Sequence, residues 1–239
     1  MCTLERHGRI FVLRLAGETE HRLTQGLCSD ILHALDAVDD PSSGAAALVT
    51  TNDGRFFSNG LDLAWADYDR AARLPSLLAS FEQVALRYLR LGVPTVAAVR
   101  GHAAGAGFLL AMAHDYRVMR RDRGFLYFAA VDVGVQIPAG SMALLSAKMG
   151  GRAMRDAVLR GRKWTAEEAA AAGMVDRVAQ SAAEAEAEAV AEAEELAAKG
   201  WLRHVYRNLR VGMYADAVAK MEENVRQEAG GARADGTRE

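Results

Sequence analysis

Cysteine, lysine and proline are scarce in this chain. Among 239 residues only Cys2 and Cys28 are cysteines, so neither a disulfide framework nor a cysteine-rich metal site can be built. Of the 29 basic residues 25 are arginines, which leaves Lys148, Lys163, Lys199 and Lys220 as the only candidates for lysine base or Schiff-base chemistry. No sign of charge dominates. A formal net charge of -2 and a pI near 6.3 provide no field that would concentrate nucleic acid or an anionic membrane. No apolar run approaches the roughly 18 residues needed to span a bilayer, and the best, 94–99, reads as a buried strand. The N-terminal residues 1–7 are polar and lack a signal-peptide core, and the last residues, Gly236, Thr237, Arg238 and Glu239, do not form a peroxisomal Ser-Lys-Leu address. What is present is ordinary for a globular protein: 51% hydrophobic and 25% charged residues, enough to bury roughly 70–75% of the unfolded surface around one main core.

Periodicity organises the chain. Residues 9–15 (RIFVLRL) read as a strand, and Leu27, Ile31, Leu35 and Val38 mark a helix over 24–38. After a break at 39–44, residues 46–51 form a second strand, followed by a glycine-punctuated loop over 52–62. The helical pattern that follows to about 91 is expected to split in two at Pro75. A third strand at 94–99 leads into a small-residue loop, 101–107, that opens a helix to about 113. Short strands are expected at 116–119 and 125–128, and helices from 141 onward. Ser181 and Glu184 have the spacing of a capping box for a solvated amphipathic helix over 181–199, with one more helix over 200–227. The reading is an α/β core over 1–200, a C-terminal helical segment over 201–229 and a disordered tail over 230–239.

Two loops stand out because each follows an expected strand and opens a helix. One runs from Arg55 to Leu63 and the other from Arg100 to Phe108. Their small residues let a ligand approach the backbone, and two free N–H groups from different loops would make an oxyanion hole. Close packing of helix against sheet explains the same residues, and spacing alone leaves both readings open. Other readings of these glycines fail: the third glycine of a dinucleotide fingerprint is missing, and no Walker loop, nucleophile elbow or HExxH occurs. His102 beside the second loop is a candidate base or a solvated loop histidine. His114 and Asp115 read as a helix-to-strand junction, and 119–123 as a solvated basic turn, with phosphate contact the alternative.

Phe57-Ser58-Asn59-Gly60-Leu61-Asp62-Leu63 resembles the first oxyanion-hole loop of the enoyl-CoA hydratase/isomerase (crotonase) superfamily, and residues 97–107 (AAVRGHAAGAG) resemble the second. Residues 56–65, 114–116 and 119–127, and even the start 1–5, are similar to the plant peroxisomal Δ3,Δ2-enoyl-CoA isomerases, so the resemblance covers most of 1–215. It implies an α/β fold, a crotonase-like spiral of ββα turns with a helical C-terminal region, assembled as a homotrimer. It implies an acyl-CoA ligand whose thioester oxygen sits between the backbone N–H groups of Leu61 and Ala106, with Ser58, Asn59, Gly60, Asp62, Gly105, Gly107 and Leu109 around the substrate. No metal or redox cofactor is implied, since coenzyme A belongs to the substrate. The implied reaction shifts a 3-enoyl-CoA double bond to the 2-position through an enolate, during fatty acid β-oxidation, and the implied compartment is the peroxisome; without the C-terminal address, the alternative is the cytoplasm.

The acid/base group departs from the pattern. In the plant isomerases a glutamate two residues before a retained aspartate moves the proton, and here that glutamate position is Ala130 and the aspartate is Asp132. The hydratases' other glutamate position is Leu109, and the additional aspartate of dienoyl-CoA isomerases falls at Pro138. Asp132 is the alternative base, on the expectation that residues i and i+2 of an extended segment share a face, although they lie about 6.5–7 Å apart. Tyr127, His102 and an ordered water are further options. The rival functions are an impaired acyl-CoA-binding paralogue and another crotonase reaction, such as decarboxylation or thioester hydrolysis.

Overall fold

The computed structural model describes residues 1–16 and 19–235. Among the described residues ten strands form two sheets: β1 (Cys2–His7), β2 (Ile10–Leu15), β3 (Ala47–Asn52), β5 (Thr95–Val99), β7 (Tyr116–Arg120) and β10 (Arg177–Ala179) in order β1-β2-β3-β5-β7-β10, and β4 (Phe56–Ser58), β6 (His102–Ala104), β8 (Leu126–Tyr127) and β9 (Lys163–Trp164) in order β4-β6-β8-β9. Pairing is parallel except for β1 with β2 and β8 with β9. The helices are α1 (Gln25–Asp39), α2 (Leu63–Ala66), α3 (Arg70–Leu89), α4 (Ala106–Met112), α5 (Ala139–Lys148), α6 (Gly151–Arg160), α7 (Ala166–Ala171), α8 (Ala182–Ala198), α9 (Arg203–Met213) and α10 (Ala215–Asp235). Three successive units, β3-β4 then α2 and α3, β5-β6 then α4, and β7-β8 then α5, each lay one strand in each sheet before a helix, so the chain winds as a spiral.

Strand alternation divides the core into two layers. Ala47 and Val49 of β3 and Val96 and Ala98 of β5 face α8, whose Ala185, Ala189, Ala193 and Leu196 recur at helical spacing. Their neighbours Leu48, Ala97 and Val99 face the other way, into the large core shared with α1, α3 and α4. Ser181 caps α8 by accepting from the Glu184 N–H, while Glu184 reaches back to the N–H of Gln180 rather than to that of the cap.

The structure corrects several sequence expectations. β1 was not expected from its polar composition. It is an edge strand that pairs with β2 along its whole length, with Arg14 of β2 also donating to Glu5 at 3.2 Å, and its Thr3, Arg6 and His7 are exposed. The helical stretch divides at Ala66–Arg70, not at Pro75, which lies inside α3 within its second turn, where only one helical N–H is lost. Residues 102–104 are the strand β6, not a loop, and the C-terminal half contains β9 and β10 as well as helices. The expected helix over 200–227 is two, broken at Tyr214, and α10 continues through 230–235, where a tail was expected. Residues 236–239 lie outside the described residues.

Candidate active site

Where the first two turns of the spiral meet, β4 pairs with β6, Phe56 opposite His102 and Ser58 opposite Ala103. Each strand then releases one of the two loops. Gly60 sits at φ 79, and a Cβ there would lie 2.9 Å from the Ala104 carbonyl oxygen and 3.3 Å from the Ala106 nitrogen, so only glycine allows the loops to touch. Leu61 forms a parallel bridge with Leu23: the Leu23 N–H donates to the Gly60 carbonyl at 2.8 Å, and the Asp62 N–H donates to the Leu23 carbonyl at 3.4 Å. That pattern uses the groups on either side of Leu61 and turns the Leu61 N–H away. Ala106 is the first residue of α4, where no preceding turn supplies an acceptor. Among the described residues neither the Leu61 nor the Ala106 N–H meets a protein acceptor.

Both residues border a cavity of about 310 Å³. Its lining also includes Asn59, Gly60, Gly105, Leu109 and Ala130, so these sequence-predicted residues converge. Its apolar wall includes Leu63, Leu78, Phe81, Phe128 and Ile137, and its polar side chains are Arg22, Asn59, Tyr127 and Ser141. Among the described residues no carboxylate lines it.

Other predicted residues sit elsewhere. Ser58 is fully buried; its Oγ donates to the His21 carbonyl at 2.8 Å and accepts from the Gly60 N–H at 3.2 Å, which holds the first loop in shape. Asp62 caps α2 by accepting from the Trp65 N–H. Gly107 is a packing residue, since a Cβ there would come within 2.2 Å of the Ser58 carbonyl oxygen. Gly105, at φ 53 and ψ -118, has open space where a Cβ would project. Close packing thus accounts for Gly107, whereas the space beside Gly105 is open.

Asp132 is turned away from the cavity. Residues 129–135 form a helical turn and not an extended segment: the N–H groups of Asp132 and Val133 both donate to the Ala129 carbonyl, and the Val135 N–H donates to Ala130. Residues two apart in such a turn point to different sides. Asp132 is exposed, and its carboxylate faces Gly161, where a Cβ would lie 2.6 Å from Oδ2. His102 packs between Phe56 and Phe125, with ring centroids at 5.1 and 5.7 Å, and burial lowers its pKa. His114 is buried, bonded through Nδ1 to the Leu110 carbonyl at 2.8 Å and through Nε2 to Thr50 Oγ1 at 2.7 Å, and burial pushes its pKa down to about 3. Asp115 pairs with Arg210 and accepts from the Thr95 N–H, which anchors α9 to the start of β7. Within the basic turn, Arg120 pairs with Asp122 and Arg121 with Glu167.

Sequence reasoning missed a carboxylate beside the cavity. Glu82 of α3 is 0% exposed; its Oε1 accepts from both the N–H and the hydroxyl of Ser141, each at 2.8 Å, and its Oε2 accepts from Asn224 Nδ2 at 2.8 Å. Burial pushes the Glu82 carboxyl above its usual range against the pull of these bonds, and no charged group contributes. The available signal was a glutamate inside an apolar helical period, flanked by Phe81, Val84 and Ala85.

The ββα spiral thus brings to one apolar cavity two backbone donors that are unpaired among the described residues, an arrangement with the chemistry to hold a carbonyl oxygen. Residues 5–232 match the profile of the family described as Enoyl-CoA hydratase/isomerase, and the chain belongs to that family. It is 43% identical over 221 residues to Enoyl-CoA delta isomerase 3 of Arabidopsis thaliana, covering 90% of this chain and 93% of the relative. It is also 43% identical over 223 residues to the peroxisomal Enoyl-CoA delta isomerase 2 of the same plant, with the same coverage. The crystal structure of a probable enoyl-CoA hydratase from Mycobacterium tuberculosis superposes with a TM-score of 0.87 over 96% of this chain and 94% of the other, at 24% identity, a likeness of fold.

Proposed function

We propose that the chain is an enoyl-CoA isomerase that moves the double bond of a 3-enoyl-CoA to the 2-position. The observation that carries this reading is the pair of unsatisfied N–H groups, Leu61 and Ala106, converging on an apolar cavity. The thioester oxygen sits between them. Loss of a proton from C2 places negative charge on that oxygen, and each donor stabilises it in the enolate, worth about 10²–10³ in rate. Return of the proton to C4 completes the shift. The apolar wall suits a fatty acyl chain, which supports a place in β-oxidation, and the isomerase names of the Arabidopsis relatives support the reaction. The name of one of them supports the peroxisome as the compartment.

Assembly as a homotrimer is supported by α9 and its approach. Leu202, Val205, Leu209 and Met213 are exposed at helical spacing, an apolar stripe that a second copy would cover.

A second reading, an acyl-CoA-binding protein with weak turnover, is favoured by Ala130 and Leu109, which put aliphatic side chains where the resemblance implies carboxylates. One assay separates the two: purified protein is mixed with a 3-enoyl-CoA and the conjugated 2-enoyl product is followed by absorbance. Turnover supports the isomerase. Binding without product supports the second reading, and no binding defeats both.

A further inference from the structure

The cavity needs a group that can take a proton from C2, and the position from which the resemblance would supply it is Ala130. The one cavity-lining hydroxyl backed by a buried carboxylate is that of Ser141. Its O–H donates to Glu82 Oε1 at 2.8 Å, and among the described residues no donor occupies its lone pairs. The Ser141 N–H donates to the same oxygen, which fixes the serine rotamer, and Asn224 holds the other carboxylate oxygen. Three helices build this arrangement. α3 supplies Glu82, α5 supplies Ser141, and α10 supplies Asn224. They come this close because residue 140 is glycine: a Cβ there would meet Met221 Cγ at 2.5 Å, the Met221 nitrogen at 2.7 Å and Glu82 Oε1 at 3.0 Å.

An ionised carboxylate is costly to bury without a cation, and a fold that needed only packing would be better served by an apolar side chain. Glu82 is 0% exposed and among the described residues pairs with no cation, yet it is tied to a hydroxyl of a cavity-lining residue, that of Ser141.

We propose that Ser141, backed by Glu82, is the acid/base group of this cavity, a role that rests on the isomerase reading above. The C2–H bond breaks as its proton passes to Ser141 Oγ and the serine's own proton passes to Glu82 Oε1. The electron pair of that bond enters the enolate, whose oxygen the Leu61 and Ala106 N–H groups hold. In return the Glu82 proton moves back to Oγ and the proton on Oγ is delivered to C4. The thioester carbonyl re-forms and the double bond lies between C2 and C3. No co-reactant is consumed. Ser141 is the catalytic residue and Glu82 its positioning partner and proton store.

The test compares the unaltered protein with Glu82→Gln, Ser141→Ala and Ser141→Thr. Two readouts are used: 3-enoyl to 2-enoyl conversion, and exchange of the C2 hydrogen of a bound acyl-CoA for solvent deuterium. Glu82→Gln and Ser141→Ala are expected to lower both rates by about 10²–10³ with KM within about twofold, and Ser141→Thr, which keeps a hydroxyl, to recover at least a tenth of the loss. Glu82→Gln is also expected to remove the acid limb of the kcat–pH profile, which a structural role would leave in place. Should Glu82→Gln fold poorly, Ser141→Ala, which removes only an oxygen, carries the comparison. Isomerisation that survives both substitutions within threefold overturns the proposal and leaves the isomerase reading standing. Deuterium exchange that depends on both residues without product upholds the proposal and defeats the isomerase reading. Absence of both activities in the unaltered protein defeats both.

Discussion

The backbone donors impose a test that side-chain mutagenesis seldom allows. Ala106 opens α4 directly after Gly105, at the helical position where proline fits best. Gly105, at φ 53 and ψ -118, is the mirror image of the extended conformation that precedes proline, and glycine adopts either hand. Ala106→Pro therefore removes one N–H without disturbing the helix and puts the ring Cδ where that N–H pointed, and kcat/KM for isomerisation is expected to fall by at least about 10²–10³ while circular dichroism is unchanged. At His114 the expectation concerns pH. Its pKa in the fold, about 3, lies below the ordinary 6.5, so the neutral ring contributes stability that is complete above pH 6.5 and is lost as pH falls toward 3. Urea midpoints measured from pH 7 to 5 should decline, and His114→Gln, though less stable at pH 7, should decline less. Glu82 has the opposite sign: its raised pKa means that stability is complete at low pH and diminishes as the carboxylate ionises, so Glu82→Gln should melt higher than the unaltered protein at pH 7. At this scale the sequence exposed the two loops but not the roles within them. Ser58 and Gly107 carry the resemblance as visibly as Gly60 does, yet they hold the frame, and only the distances across β4, β6 and α4 separate those duties.

Among elements, the second loop contains glycines that serve different ends, and alanine substitutions should report it. A Cβ at Gly105 meets nothing within 4 Å, so Gly105→Ala suffers only backbone strain, about 1–3 kcal/mol. A Cβ at Gly107 would meet the Ser58 carbonyl oxygen at 2.2 Å, and α4 would have to lift from β4; the expected loss is about 3 kcal/mol or more, read from urea unfolding. Elements whose apolar spacing is dictated by one core face were legible in the sequence: α1, β3, β5 and α8 lie within a residue or two of their expected limits. Those formed chiefly by strand pairing, whether with a neighbour or a distant partner, were not. β1 is held by β2, β9 by β8 and β10 by β7, and none of the three has an alternating apolar pattern long enough to announce itself. The segment 129–135 differs from its expected extended register because three backbone bonds close a helical turn there, and the turn carries Asp132 to a different side from Ala130.

For the whole molecule, light scattering should give a mass about three times 25.7 kDa, and Leu209→Glu with Met213→Glu on the exposed face of α9 should reduce it without loss of helix content. The C-terminal helices were legible as helices but not as contributors to the site: Asn224 lies 142 residues from Glu82, and only the docking of α10 on α3 and α5 joins them. The spiral also sets a dimension. Leu61 and Ala106 each follow a cross-strand partner, Ser58 and Ala103, by three residues, so the donors leave adjacent parallel strands at matching heights. Adjacent strands lie about 4.7–4.9 Å apart. An oxygen about 2.9 Å from each of two nitrogens at that separation subtends an angle of roughly 110°, near the splay of the lone pairs on a trigonal carbonyl oxygen. On the proposed isomerase reading, the spacing that backbone hydrogen bonding imposes on any sheet is also the bite of a two-toothed clamp for one oxygen atom, and Gly60 and Gly107, where a Cβ would strike the neighbouring loop, keep its gauge.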